Sequence, residues 1–122
     1  DSFTLALLSN DEVLAVNQDP LGKQSLPVWK TEDCEVWSRP LHDGTLAVAF
    51  FNRGPLPVEV GIDWKQLNLK GAQPVRDLWA QRDLGSFSGS LKADVAAHGT
   101  QLFRIGNPQV STYSRLDLVS AE

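Results

Sequence analysis

The chain of 122 residues has a single cysteine, Cys34, and only two histidines, His42 and His98. One thiol forms no internal disulfide, and no thiolate cluster is available for zinc. Cys34 therefore reads as a small buried apolar side chain. The imidazoles stand 56 positions apart, each beside turn residues, which predicts no metal site. Basic runs are missing too, and the formal net charge is -4. Nucleic acid and anionic membrane surfaces need clustered Lys and Arg, so neither is an expected partner. Apolar runs such as Leu46 to Phe51 fall far short of the roughly 20 residues of a membrane-spanning helix. The opening residues Asp1, Ser2, Phe3 and Thr4 lack a basic stretch, so any export signal is expected upstream.

What is present is the material of one globular domain: 42% hydrophobic and 21% charged residues, on a chain long enough to bury a core. Residues 1 to 24 differ from the rest. Phe3, Leu7 and Leu8 fall at helical spacing, and Ser9-Asn-Asp-Glu12 reads as a capping box, Ser9 accepting from the Glu12 amide while the Glu12 carboxylate reaches back. A second helix is predicted from Asn10 to about Asn17, with Val13, Leu14 and Val16 as its apolar face and Asp19-Pro20 as its stop. Two such short helices are marginal unless something larger covers them, which makes them the remnant of another domain.

From Val28 the pattern becomes short β-rich runs punctuated by Gly, Pro, Asn and Asp. About eight strands are predicted: Val28–Thr31, Cys34–Pro40, Thr45–Asn52, Leu56–Ile62, Val75–Asp77, Ser86–Leu91, Ala93–Val95 and Thr100–Ile105. His42-Asp43-Gly44 and Asn52-Arg53-Gly54-Pro55 each offer a residue tolerant of positive φ, so each predicts a hairpin. Thr45 to Phe51 is apolar on both faces and should be central in a sheet. Asp63 to Leu69 breaks the alternation and reads as one helical turn with Trp64 and Leu67 turned inward. The fold class is all-β: an antiparallel sandwich over 25 to 106, with 107 to 122 a polar tail or linker.

Candidate chemistry is sparse. The carboxylates do not segregate into the flanking pair that glycosidic hydrolysis needs. Asp11, Glu12 and Asp19 sit at predicted helix ends, and Asp33, Glu35 and Asp43 flank predicted turns. Asp77 and Asp83 belong to a repeated Arg-Asp-Leu step, where pairing with Arg76 and Arg82 would fix geometry. Gly85-Ser-Phe-Ser-Gly89 resembles a hydrolase elbow except that Phe87 occupies the nucleophile position, leaving a turn into a strand. No catalytic, cofactor-binding or metal-ligating residue is assigned. Trp29, Trp37, Trp64 and Trp79 are expected in the core; exposed, they would form platforms for a carbohydrate-binding module.

The order of motifs resembles a known family. Leu7-Leu-Ser-Asn-Asp-Glu-Val-Leu-Ala-Val-Asn-Gln-Asp-Pro-Leu-Gly22 is similar to the segment closing the catalytic barrel of the α-galactosidase (melibiase) group, glycoside hydrolase family 27. Glu35-Val-Trp37, Leu46 to Gly54, Val75 to Trp79, Asp83-Leu-Gly85 and His98-Gly99 follow in that family's order, so the resemblance covers residues 3 to about 106. It implies a Greek-key sandwich packed as an accessory domain on a preceding (β/α)8 barrel, the short helices being the end of that barrel. It also implies retaining hydrolysis of terminal α-galactosides by two aspartates that lie upstream, with no matching position here and no cofactor. An α-galactoside carbohydrate is then the further partner. For the parent enzyme an extracytoplasmic setting, whether secreted, periplasmic or lysosomal, is implied.

Overall fold

A computed structural model describes residues 10 to 108. The first predicted helix, Ser9 of the predicted capping box, and the tail from residue 109 onward lie outside the described residues. Among the described residues one helix, α1 (Asp11–Asn17), precedes eight strands: β1 (Leu26–Lys30), β2 (Cys34–Pro40), β3 (Leu46–Asn52), β4 (Val58–Asp63), β5 (Ala72–Asp77), β6 (Arg82–Ser88), β7 (Ser90–Val95) and β8 (Thr100–Ile105). The strands form an antiparallel six-stranded sheet, β1-β2-β3-β8-β5-β6, faced by a two-stranded sheet, β4-β7. The all-β sandwich is the expected architecture, and β3 is interior to the larger sheet as its two apolar faces require.

Alternation along the strands aims one set of side chains between the sheets. Val36, Val48, Phe50, Val75, Phe103 and Ile105 from the larger sheet meet Val60, Ile62, Leu91 and Val95 from the smaller one. Phe50 and Phe103 pack edge to face with ring centroids 5.2 Å apart. Between β4 and β5 a short 3₁₀ turn, Trp64–Leu67, plugs one end of the sandwich. Its Trp64 and Leu67 are buried as predicted, and Trp64 Nε1 donates to Phe87 O at 2.9 Å. Cys34 is buried, with Sγ 3.9 Å from Asn52 Oδ1.

Several boundaries differ from expectation. The predicted strands Ser86–Leu91 and Ala93–Val95 are instead β6 and β7, divided at Gly89, whose φ of +81° turns the chain from one sheet to the other. Most of β6 was hidden because Arg82, Asp83, Gly85 and Ser86 are exposed and give no apolar alternation. Gly85 is thus within a strand rather than a turn, at φ +98° beside a bulge opposite Val75 and Arg76. Strand β5 begins earlier than predicted, at Ala72, despite Pro74, whose carbonyl accepts from Gly106 N at 2.9 Å.

Only one of the two predicted hairpins forms as such. Leu41 to Thr45 joins β2 to β3 with Gly44 at φ +87°, and Asp43 Oδ1 accepts from Thr45 N at 3.0 Å. Asn52 to Pro55 instead carries the chain from the large sheet to the small one. Gly54 is required there by space rather than by φ: a Cβ would stand 2.9 Å from Asp33 Oδ2. Asn52 directs this crossing. Its buried amide donates to Leu56 O (2.8 Å), Val95 O (3.1 Å) and Ala96 O (3.2 Å), while Oδ1 accepts from Gly54 N at 2.9 Å. Strand β4 begins at Val58 rather than at the predicted Leu56; both residues are exposed, and burial begins at Val60.

Candidate functional site

The outer face of the six-stranded sheet, opposite the core, gathers the side chains that the sandwich itself does not use. Registers between β2, β3 and β8 place Trp37 beside Ala49 beside Leu102, and Glu35 beside Phe51 beside Thr100. Arg39 follows in the same alternation, across from Ala47. A face exposed only to water would be polar here. Instead Ala47 is buried and Trp37, Ala49, Phe51 and Leu102 are half-buried.

Part of that burial comes from α1. Asn10 caps its start: Asn10 Oδ1 accepts from the amides of Glu12 (3.0 Å) and Val13 (3.2 Å). The same amide group donates to Leu78 O at 2.7 Å, so the cap also ties the helix to the chain just past β5. Val13 is only 2% exposed. The Glu12 carboxylate grips Arg76 of β5 in a fork, Nε to Oε1 at 2.6 Å and Nη2 to Oε2 at 3.1 Å.

The bulge in β6 brings Asp83 opposite Arg76, and Nη1 meets Asp83 Oδ1 at 3.1 Å. These two carboxylates hold the Arg76 guanidinium further above its already high range and offset the like charge of Arg104, its cross-strand partner. Of the predicted Arg-Asp pairs, then, Arg76 with Asp83 forms. Asp77 instead accepts from Ala80 N at 3.0 Å in the β5–β6 turn.

Where α1 ends, Asp19 joins it to the β2–β3 turn. It is buried rather than a free helix end, and accepts from the amides of His42 (3.0 Å) and Leu21 (3.1 Å). His42 Nδ1 lies 2.5 Å from Asp19 Oδ1. Burial alone would raise the Asp19 carboxyl, but the hydrogen bonds from His42 and Leu21 outweigh it and hold the group below its ordinary value. The hydrogen bond to Asp19 raises His42 in return, against desolvation.

The remaining sequence candidates are structural. Glu35, on β2 beside the β1–β2 turn, is buried, accepting from Trp37 Nε1 and pairing with Arg53, each at 3.1 Å. Asp33 supplies its carbonyl to Arg53 N at 2.8 Å. His98, at φ +56°, donates its amide to Gly54 O at 3.2 Å. Among the described residues no three His, Cys, Asp or Glu side chains converge as metal ligands. Trp64 is in the core as expected, while Trp29, Trp37 and Trp79 are only partly buried. A surface cleft of about 690 Å³ runs along the 3₁₀ turn between Asp63, Lys70, Ser88 and Gly89, and the side chains of Asp63, Lys65, Asn68 and Lys70 that line it are exposed. Sequence reading missed the outer face as a site, although the doubly apolar β3 was its signal.

Comparison with known proteins gives this arrangement its context. An α-galactosidase from Coffea arabica is 41% identical over 105 residues, which cover 84% of this chain and 28% of that protein. The chain spans about a quarter of the length of the curated relatives it matches. The crystal structure of α-galactosidase I from Mortierella vinacea superposes with a TM-score of 0.80 at 31% identity, over 89% of this chain and 30% of that one. A family 27 β-L-arabinopyranosidase from Geobacillus stearothermophilus does so at 0.79 and 33%, over 88% and 24%. Residues 31–105 match the family model of the α-galactosidase C-terminal β-sandwich domain, and the chain belongs to that family.

Proposed function

We propose that this sandwich is the non-catalytic C-terminal support of a retaining α-galactosidase-type hydrolase, and that a preceding (β/α)8 barrel covers its outer sheet face. The observation that carries this reading is α1. A seven-residue helix has little stability of its own, yet here it is fastened to the sheet through Asn10, Val13, Glu12 and Val16. Such fastening makes the segment ahead of the sandwich continuous with the face it lies on. The half-buried Trp37, Phe51 and Leu102 beside it extend that contact surface.

The two catalytic aspartates are those that the family resemblance places upstream, in the barrel. The same sandwich occurs on proteins named for α-galactosides and for a β-L-arabinopyranoside. That pattern supports a role in holding the barrel rather than in selecting the sugar. Recruitment of carbohydrate through open indoles draws no support from the four partly or fully buried tryptophans.

The test is direct. The chain alone, assayed on an aryl α-galactoside, should show no turnover above buffer, while the same chain joined to its upstream coding sequence should hydrolyse it. Turnover by the isolated chain would overturn the reading.

A further inference from the structure

Arg39 differs from Arg53 and Arg76, and like Arg104 across Ala47 on the same face it has no ion pair among the described residues. Arg53 takes Glu35, and Arg76 takes Glu12 and Asp83. Arg39 meets no carboxylate among the described residues; its Nη1 donates to Val16 O at 2.7 Å, in the last turn of α1. Its Nε is buried and has no acceptor among the described residues. The side chain borders a hollow of about 180 Å³ together with Trp37, Ala49, Phe51 and Leu102. Guanidinium stays protonated at any physiological pH, so burial cannot be relieved by neutralisation. A covered N–H without an acceptor is costly, and more so when it belongs to a charged group.

We propose, building on the docking reading above, that Arg39 is the polar anchor of the domain junction and takes an Asp or Glu carboxylate presented by the preceding barrel. A carboxylate fits better than a second backbone carbonyl. Val16 O already supplies a neutral acceptor, and what the guanidinium lacks is negative charge. The apolar walls of the hollow strengthen such a pair by excluding water, and they make its absence more damaging. The planar fork also fixes direction, so one pair would set the angle at which the barrel sits on the sheet.

Hydrogen exchange by mass spectrometry on the barrel-plus-sandwich protein tests this with three variants. Arg39→Met keeps the stem and removes the charge; Arg39→Lys keeps the charge and loses the fork; Phe51→Glu attacks the same face without touching Arg39. Arg39→Met should speed exchange in barrel peptides at the junction by about tenfold or more, with Arg39→Lys intermediate. Should Arg39→Met change only the α1 peptide, Arg39 is a helix-end clamp and the anchor is wrong. Unchanged barrel peptides in both Arg39 variants, with Phe51→Glu disturbing them, would remove the anchor and leave the docked face standing. If Phe51→Glu also leaves the barrel peptides unchanged, the docking reading fails and the anchor with it.

Discussion

On the inner face of the six-stranded sheet, Val36, Val48, Phe50 and Phe103 are covered by the smaller sheet, and the polar groups within reach are satisfied by Asn52 and the 3₁₀ turn. On the outer face of the same strands, Trp37, Phe51 and Leu102 are only half-covered, beside an arginine whose Nε has no acceptor among the described residues. Adjacent residues of β3 serve both: Phe50 points in and Phe51 points out. The contrast separates two jobs. Inner residues make the sandwich a folded object, whereas outer residues make it fit something else, and substitutions on the two faces should therefore fail in different assays.

The largest effect belongs to the inner face. Phe50→Ala removes a fully buried ring and its edge-to-face partner contact, and should destabilise the chain by about 3–5 kcal/mol in urea unfolding. Phe51→Ala, one residue along, should cost far less. Equal losses at the two positions would break the distinction between the faces.

Next comes Asn52, whose one side chain joins strand β3 to the two-stranded sheet. Asn52→Ala strands the carbonyls of Leu56, Val95 and Ala96 and the amide of Gly54. A loss on the order of 2–3 kcal/mol is expected, with faster hydrogen exchange concentrated in β4 and β7. A uniform increase over both sheets would place the two-stranded sheet inside one cooperative unit with the larger one.

Much of this division was legible in the residues. Strand β2 is found where the β-rich run between turn residues put it, and the interior place of β3 follows from apolar residues on both of its faces. What escaped was carried by geometry that has no local signature. Strand β6 is exposed and polar, so it pairs without leaving an alternating trace. Asn52-Arg53-Gly54-Pro55 has the composition of a hairpin turn, yet it crosses between sheets because Asn52 has acceptors 43 and 44 residues away. In the same way nothing local announces that Arg76, 64 residues on, offers the Glu12 carboxylate a charged fork. At the outer face the sequence showed orphan helices and a doubly apolar strand; that one lies upon the other is a tertiary fact.

A smaller and more local effect is expected from Glu12→Gln. The fork to Arg76 loses its charge, while Asp83 still neutralises the guanidinium. Exchange in α1 should rise, and the melting temperature of the sandwich should move little, since Val13 and the Asn10 cap still hold the helix down. A melting temperature that falls as far as for Asn52→Ala would show that α1 belongs to the folding core rather than to the contact surface.

The smallest effect is the one that pH controls. His42 is raised above its ordinary value of 6.5 by its hydrogen bond to Asp19, so the charged pair contributes fully below that value. As pH climbs through the raised value the imidazole loses its proton, and the contribution fades. Asp19 runs the other way: its carboxyl is held below its ordinary value, so its share is present above that value and is lost as acid protonates it. The link between α1 and the β2–β3 turn is thus tightest in mildly acidic solution. It loosens only partly at higher pH, because a neutral imidazole bearing its proton on Nδ1 still donates to Asp19. With the His42 side chain 46% exposed, screening keeps the effect small. Exchange of the Leu41 to Thr45 peptide, corrected for intrinsic rates, should be slower at mildly acidic than at alkaline pH, and His42→Ala should erase the difference. A pH difference that survives in His42→Ala would assign it to the acidic groups alone, and the outer face would have no titrating link to its helix.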